Sequence, residues 1–160
     1  MLIASMVKLA GTSQRDKASD PSSVLSGTNA ALFGNTQNQL LTAAYVHLDS
    51  ESRELRYSAA GHPPMLLLRD GKVTEVVENR LMLAAFDFTT YSNAVQRLQS
   101  GDRLLLYTDG LVEAANGSGE LFGQEAPGTL LQQTGRAAPT DAAGRIISTV
   151  QPWGRRRMMI

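Results

Sequence analysis

The chain lacks cysteine and carries no net charge. The absence of cysteine excludes disulfide frameworks, thiolate zinc sites and cysteine nucleophiles. Lysine and arginine together number 15, as do aspartate and glutamate, so the formal net charge is +0. A balanced chain lacks the broad positive surface that binds nucleic acids or anionic membranes. We therefore expect neither as a partner, and the lack of cysteine fits a reducing, cytoplasmic compartment.

Long hydrophobic runs are also absent, and no stretch approaches the length of a membrane-spanning helix. The apolar start, residues 1–10, is interrupted by Lys8 and is not preceded by a positively charged segment. A secretory signal would have that segment, so we predict a core helix here. With 42% hydrophobic and 19% charged residues, the composition is that of an ordinary globular domain.

The pattern of apolar residues predicts helices at both ends of the chain and strands between them. The predicted helices cover residues 1–10, Asp20-Pro21 to Gly34, a short segment in 111–115, and residues 128–134. A last helix is capped by Thr140 and has Ala143, Ile146, Ile147 and Val150 on its apolar face. The predicted strands cover 42–49, 54–59, 65–69, 72–77 after an Asp70-Gly71 hairpin turn, 94–98, and a central strand, 103–107. Because strands and helices do not alternate, the pattern indicates an α+β fold.

The segment Tyr107-Thr108-Asp109-Gly110 is the first candidate for chemistry. A carboxylate at the end of a buried strand lies where the sheet opens to solvent, and the following glycine lets a ligand approach the backbone closely. Magnesium and manganese prefer oxygen ligands of this kind. Spacing alone also fits a plain Asp-Gly turn without a metal, which is the commoner structure.

Asp109 belongs to one of three motifs that follow each other in order. They are Ala59-Ala60-Gly61-His62-Pro63-Pro64, the segment 101–114, and Gly119-Glu120-Leu121-Phe122-Gly123. In this order they resemble the PPM-type, metal-dependent serine/threonine protein phosphatases of the sporulation stage II protein E branch, which regulate bacterial sigma factors. The resemblance extends from about Ile3 to about Trp153. We interpret residues 1–153 as the C-terminal part of the catalytic domain of such a phosphatase.

The resemblance implies a partial αββα sandwich, with two antiparallel sheets packed face to face and flanking helices. It also implies a site for two Mn²⁺ or Mg²⁺ ions, which activate a water molecule to hydrolyse phosphoserine or phosphothreonine. Asp109 matches the family's aspartate that bridges towards the second metal. Substrates in this branch are typically small phosphorylated anti-anti-sigma factors, so we expect a partner of that kind.

The chain departs from the family pattern in three places. The upstream Gly-Asp-x-x-Gly-His-Gly motif, which supplies a metal-binding aspartate, is absent, and alanine replaces the usual glycine in Leu83-Ala84-Ala85-Phe86. At the C-terminus, residues 154–160 stand where the family has Asp-Asp-x-Thr. A shifted reading frame through Met158-Met159-Ile160 would encode two consecutive aspartates, so we interpret 154–160 as a divergent or frameshifted tail.

These departures leave Asp109 as the one clear metal ligand and catalytic-site residue. Since a two-metal site needs several carboxylates, we expect the chain alone to have little or no phosphatase activity. We also expect self-association, because an incomplete sandwich leaves apolar faces and strand edges uncovered. The alternative is a degenerate, non-catalytic module that binds a sigma-regulatory partner. His62 is interpreted as structural, and Glu113 as either a neighbour of the metal site or a solvated side chain.

Overall fold

A computed structural model describes residues 2–153, which form two compact units. The first unit comprises the chain as far as Pro64 together with Val76–Ser100. The second comprises Met65–Glu75 together with the chain from Gly101 onwards. No helix among the described residues is long and apolar enough to cross a membrane.

Helices and strands occur in the predicted order. The helices are α1 (Leu2–Thr12), α2 (Pro21–Leu32), α3 (Asp109–Val112), α4 (Ala126–Thr134) and α5 (Pro139–Val150), with one 3₁₀ turn at Arg15–Lys17. The strands are β1 (Ala43–Asp49), β2 (Glu54–Ala60), β3 (Met65–Arg69), β4 (Lys72–Val76), β5 (Asn79–Arg80), β6 (Ala94–Arg97) and β7 (Arg103–Leu105).

The first unit is built on a sheet with β2 at its centre. β1 runs antiparallel along one edge of β2, from Ala43 opposite Ala60 to Asp49 opposite Glu54. On the other edge β6 pairs antiparallel and the two-residue β5 pairs parallel. Apolar side chains of α1, α2, the sheet and the segment after β5 form the core; they are Ala10, Leu25, Leu32, Ala60, Leu83, Ala84 and Tyr91.

A fully buried asparagine, Asn29 on α2, holds the loop that follows β5. Its Nδ2 donates to the carbonyl of Phe86 at 2.9 Å, and its Oδ1 accepts the backbone N–H of Ala84 at 2.8 Å. Ala84 has a φ of 64°, a left-handed conformation that a residue with a Cβ adopts at a cost. The bond to Ala84 gives a buried backbone N–H its acceptor, and the Phe86 carbonyl also accepts the N–H of Thr89 at 3.5 Å. The asparagine therefore fixes the turn in which Ala84 adopts this left-handed conformation.

The second unit contains a sheet with the order β4-β3-β7. Asp70 and Gly71 join β3 to β4 with φ values of 50° and 77°, and these two left-handed residues form the hairpin turn that the sequence predicted. β7 pairs antiparallel with β3, placing Leu105 opposite Leu66. Leu66 and Leu68 on β3 pack against Leu131 of α4.

The α+β prediction, with two sheets and flanking helices, is confirmed, although β5 adds one parallel pair. The predicted Thr140 cap is wrong: α5 begins at Pro139, with Ala138 at the N-cap, because proline is suited to the first helical position. The prediction of a central strand over 103–107 is also wrong. Only β3 pairs with β7 in the described chain, and the strand ends at Leu105.

The bounds of the other predicted elements differ by a few residues, with one larger change at α3. The predicted short helix in 111–115 begins at Asp109 and includes that residue. On α5 the predicted apolar face is only partly covered: Ile146 is buried, Val150 is half-buried, and Ala143 and Ile147 are exposed. The interpretation of 154–160 as a divergent or frameshifted tail lies outside the described residues.

We predict that Asn29→Ala lowers the free energy of unfolding by about 2–3 kcal/mol, because it removes the bond to the carbonyl of Phe86 and leaves the N–H of Ala84 buried without its side-chain acceptor. Urea unfolding measures the change. The control is Asn35→Ala, since Asn35 is exposed and bonds only carbonyls of neighbouring residues; it should cost less than about 0.5 kcal/mol. Equal losses of unfolding free energy in the two variants would contradict a stabilising role for the two Asn29 hydrogen bonds.

A second prediction concerns Asp20, which precedes α2. Its carboxylate accepts hydrogen bonds from the Ser22 hydroxyl at 2.6 Å, the Asn93 amide at 2.6 Å and the Ser23 hydroxyl at 2.7 Å. These donors hold the pKa of Asp20 well below its ordinary value. The carboxylate therefore stabilises the fold above its unfolded-state pKa, and this contribution is lost as the pH falls.

The difference in unfolding free energy between wild type and Asp20→Ala should accordingly shrink as the pH is lowered from about 6 to about 3. Urea unfolding across this range measures it. The control is Asp87→Ala, at an exposed position of the same unit. It shows how far the unfolding free energy of any aspartate variant changes relative to wild type over the same pH range. A difference that stays constant with pH would show that Asp20 does not act through its charge.

Candidate functional site

Asp109 lies where the chain leaves β7 and turns into α3. The residue before it, Thr108, is extended, with φ −94° and ψ 163°, and α3 starts at Asp109. The Asp109 side chain is exposed, and its Oδ1 accepts the backbone N–H of Gly110 at 2.8 Å. The carboxylate thus lies at the start of a short helix that follows a strand, and it is exposed to solvent.

The described residues do not supply the other ligands of a two-metal site. Among residues 2–153 no three His, Asp or Glu side chains lie close enough together to hold a metal ion. Glu113 follows one helical turn after Asp109, with its N–H bonded to the Asp109 carbonyl at 2.9 Å, and its side chain is exposed. Two divalent cations need several carboxylates to balance their charge and fix their geometry. The donor set present in this chain therefore does not fit a complete two-metal centre.

A two-point ion pair fixes the strand that leads to Asp109. Arg69, at the end of β3, donates through Nε to Oδ1 of Asp102 at 2.9 Å and through Nη2 to Oδ2 at 2.6 Å. The Asp102 side chain is only 4% exposed and that of Arg69 is 31% exposed, so the carboxylate is shielded from water while the guanidinium is partly open to it. Such paired hydrogen bonds between charged groups set both distance and orientation. Asp102, which sequence analysis treated as a turn residue, holds the start of β7 against β3.

The segment that follows α3 is held in place by the third motif. The N–H of Phe122 donates to the carbonyl of Ala114 at 2.8 Å, and the N–H of Gly123 donates to that of Val112 at 3.0 Å. The Phe122 ring meets Trp153 edge to face, with centroids 5.2 Å apart. The motif 119–123 therefore folds back onto the end of the helix that Asp109 begins.

Tyr107, two residues before Asp109, is half-buried. Burial and the nearby Glu75 carboxylate both raise the pKa of its phenol. The side chain therefore stays neutral near pH 7 and packs against the core of the second unit. Its position in an apolar run was visible in the sequence, but the proximity of Glu75 on β4 was not.

His62 lies in the first unit, and its side chain contacts the residue that follows it in the loop. Its Nδ1 lies 2.9 Å from the carbonyl oxygen of Pro63, which also accepts the Tyr57 hydroxyl at 3.3 Å. The loop begins at Gly61, whose φ is 64° and whose N–H donates to the carbonyl of Arg80 at 2.9 Å. These contacts support the interpretation of His62 as a residue that shapes the loop.

A family model, a sequence relative and solved structures all match this chain. The family model described as Stage II sporulation protein E (SpoIIE) matches residues 1–158. Phosphoserine phosphatase RsbU of Bacillus subtilis is 27% identical over 123 residues, covering 75% of this chain. The structure is similar to the SiaA-PP2C domain of Pseudomonas aeruginosa, with a TM-score of 0.85, 22% identity and 98% of this chain covered.

The phosphatase domain of SpoIIE from Bacillus subtilis, in a manganese-presoaked form, matches with a TM-score of 0.59 at 15% identity over 88% of this chain. At such identities the solved structures establish the fold. The chain spans only part of these relatives: 37% of the length of RsbU, and 64% each of the SiaA and SpoIIE chains.

The Gly61 loop yields a prediction with a matched control. Gly61 and Gly71 both have positive φ, at 64° and 77°. A Cβ on Gly61 would lie 2.3 Å from Cγ of Met82, whereas one on Gly71 would meet no atom within 4 Å. Gly71→Ala should therefore cost only backbone strain, about 1 kcal/mol, and Gly61→Ala about 2–3 kcal/mol. Thermal or urea unfolding measures both, and equal costs would mean that Met82 moves aside freely.

Proposed function

The chain belongs to the Stage II sporulation protein E (SpoIIE) family of PPM-type phosphatase domains, and on that premise we propose that it is a fragment of a metal-dependent serine/threonine protein phosphatase. The observation that carries the proposal is the position of Asp109: an exposed carboxylate at the junction of β7 and α3, within the motif on which the resemblance rests. In the intact parent, Asp109 is one ligand of a site for two Mn²⁺ or Mg²⁺ ions.

The proposed substrate is a protein that carries phosphoserine or phosphothreonine. RsbU is named a phosphoserine phosphatase, and another similar structure contains the RsbU and RsbW domains of one Mycobacterium tuberculosis protein, at 23% identity and a TM-score of 0.68. We infer that the partner is a small bacterial regulatory protein of the anti-anti-sigma type, and that the parent acts in the cytoplasm. The balanced charge of the chain agrees with a protein partner better than with nucleic acid.

This chain alone is proposed to be inactive. Each divalent cation brings two positive charges, and the described residues place no group of three His, Asp or Glu side chains around Asp109 or elsewhere. A single exposed carboxylate offers too few ligands to hold two ions in a fixed geometry. The same incomplete donor set also fits the second candidate function, a non-catalytic module that binds a sigma-regulatory partner.

We predict that the 160-residue chain hydrolyses a phosphoserine peptide no faster than buffer with Mn²⁺ does, whereas a polypeptide joining this sequence to the missing part of the domain is active. Phosphate release measures both. In the longer polypeptide, Asp109→Asn should lower kcat by at least about 100-fold, since loss of even an indirect support of a metal ligand costs 10–100-fold.

Asp87→Asn, at another exposed aspartate, is the control and should leave that activity unchanged. Manganese-dependent turnover by the 160-residue chain would refute the proposed inactivity. A longer polypeptide that binds its partner but releases no phosphate would favour the non-catalytic module.

A further inference from the structure

Asn116-Gly117 is the one Asn-Gly pair in the sequence, and it lies in the loop that follows α3. Asn-Gly is the pair most prone to spontaneous deamidation, because glycine has no Cβ to shield the backbone nitrogen that attacks the asparagine side chain. Gly117 is exposed, and no described residue accepts its N–H. The nucleophile of that reaction is therefore open to attack the side chain before it.

The side-chain amide of Asn116, in contrast, is held by three hydrogen bonds. Its Oδ1 accepts the backbone N–H of Ser118 at 2.9 Å and that of Glu120 at 3.0 Å. Its Nδ2 donates to Oε2 of Glu120 at 2.6 Å. The backbone carbonyl of Asn116 accepts the N–H of Gly119 at 3.0 Å, and its N–H donates to the carbonyl of Glu120 at 3.0 Å. These bonds close residues 116–120 into one loop and fix the plane of the amide.

Deamidation requires the amide to leave this arrangement. The Gly117 nitrogen attacks Cγ of Asn116 and gives up its proton, the Cγ–Nδ2 bond breaks, and ammonia leaves behind a five-membered succinimide ring. Water then adds to either carbonyl of the ring and gives aspartate or isoaspartate. The attack turns the amide away from the N–H groups of Ser118 and Glu120 and removes Nδ2 altogether. The reaction therefore proceeds from a locally opened loop, and the closed loop slows it.

The product of the reaction does not fit the closed loop. A carboxylate oxygen takes the place of Nδ2, which lies 2.6 Å from the carboxylate of Glu120. Two carboxylates at this distance repel each other, and the donor that joined the two side chains is lost. The loop continues directly into the motif 119–123, whose N–H groups donate to the carbonyls of Val112 and Ala114. Opening of the loop therefore weakens the contacts that hold the motif against the end of α3.

We propose that Asn116 is a deamidation site that the closed loop protects, and that its conversion to aspartate or isoaspartate releases the motif 119–123 from the end of α3. The reaction consumes water and releases ammonia, and it needs no other reactant. It uses only groups of the chain that lie in the loop itself. The modification is therefore independent of whether the parent protein binds metal ions or hydrolyses a phosphorylated protein.

The first experiment measures deamidation of the folded 160-residue chain in mildly alkaline buffer. Peptide mapping by mass spectrometry detects the replacement of NH₂ by OH at Asn116. Gly119→Ala should raise the rate at least about fivefold, because Gly119 has a φ of 83° and a Cβ there strains the closed loop. The matched control is Gly71→Ala, with a φ of 77° in a hairpin of the same unit. In both variants the added Cβ meets no atom within 4 Å, and the control should deamidate as wild type does.

A third variant tests the nucleophile. The φ of Gly117 is not left-handed, and an added Cβ would meet no atom within 4 Å, so Gly117→Ala leaves the loop closed. The methyl group nevertheless stands beside the attacking nitrogen, and it should slow deamidation several-fold both alone and combined with Gly119→Ala. Wild type unfolded in urea should deamidate several-fold faster than folded wild type, since the unfolded chain has no closed loop.

The second experiment tests the consequence with Asn116→Asp, which supplies the aspartate product directly. Hydrogen exchange at the N–H groups of Phe122 and Gly123, which bond the end of α3, should become several-fold faster. The fluorescence of Trp153, the one tryptophan in the sequence, should change as its contact with Phe122 loosens. Adding Glu120→Gln returns a donor to the pair of side chains and should restore both signals towards wild type.

Four outcomes would overturn the proposal. They are a rate for Gly119→Ala no higher than that for Gly71→Ala, no slowing by Gly117→Ala, equal rates in folded and urea-unfolded wild type, and unchanged exchange at Phe122 and Gly123 in Asn116→Asp. Circular dichroism shows whether each variant is folded. The comparison of folded with unfolded wild type needs no variant, so it decides the question of protection even if Gly119→Ala does not fold.

Discussion

The geometry around Asp109 depends on the ion pair between Arg69 and Asp102. The two residues are separated by 33 positions in the chain, and their paired hydrogen bonds hold the start of β7 against the end of β3. β7 has no other strand beside it in the described residues, so this pair and the ladder to β3 hold its start. Asp109 follows four residues after Leu105, and the hydrogen bonds from 119–123 to the end of α3 support its position from the other side.

A well-placed carboxylate is nevertheless not a metal centre. The order of the motifs along the chain, and not the number of ligands in the structure, links Asp109 to phosphatase chemistry. The third motif, 119–123, supports the helix that begins at Asp109. Its N–H groups donate to the carbonyls of Val112 and Ala114, and the Phe122 ring packs against Trp153. The described residues thus retain the contacts that support the Asp109 carboxylate, the ligand that we propose, but place no group of three His, Asp or Glu side chains around it.

Local signals predicted the features that depend on neighbouring residues. The Asp70-Gly71 turn was predictable because only a few residue types adopt two successive left-handed conformations, and the start of α2 because proline follows Asp20. Features that depend on distant partners were missed. Nothing in the sequence pairs Arg69 with Asp102, or joins Asn29 to a turn 55 residues away at Ala84. The position of Asp109 was predictable from its motif, but the contacts that hold it were not.

The wrong prediction of a central strand has a physical origin. An apolar run such as 103–107 indicates that a strand will be covered on both sides, and the pattern cannot say which chain supplies the cover. In the described residues β3 covers one side, while Leu104, Leu106 and Ile147 remain exposed on the other. An exposed strand edge beside apolar side chains is a template for pairing with further backbone. The apolar pattern therefore reports that β7 can be covered on both sides, while the identity of the covering residues is a long-range property that local sequence does not encode.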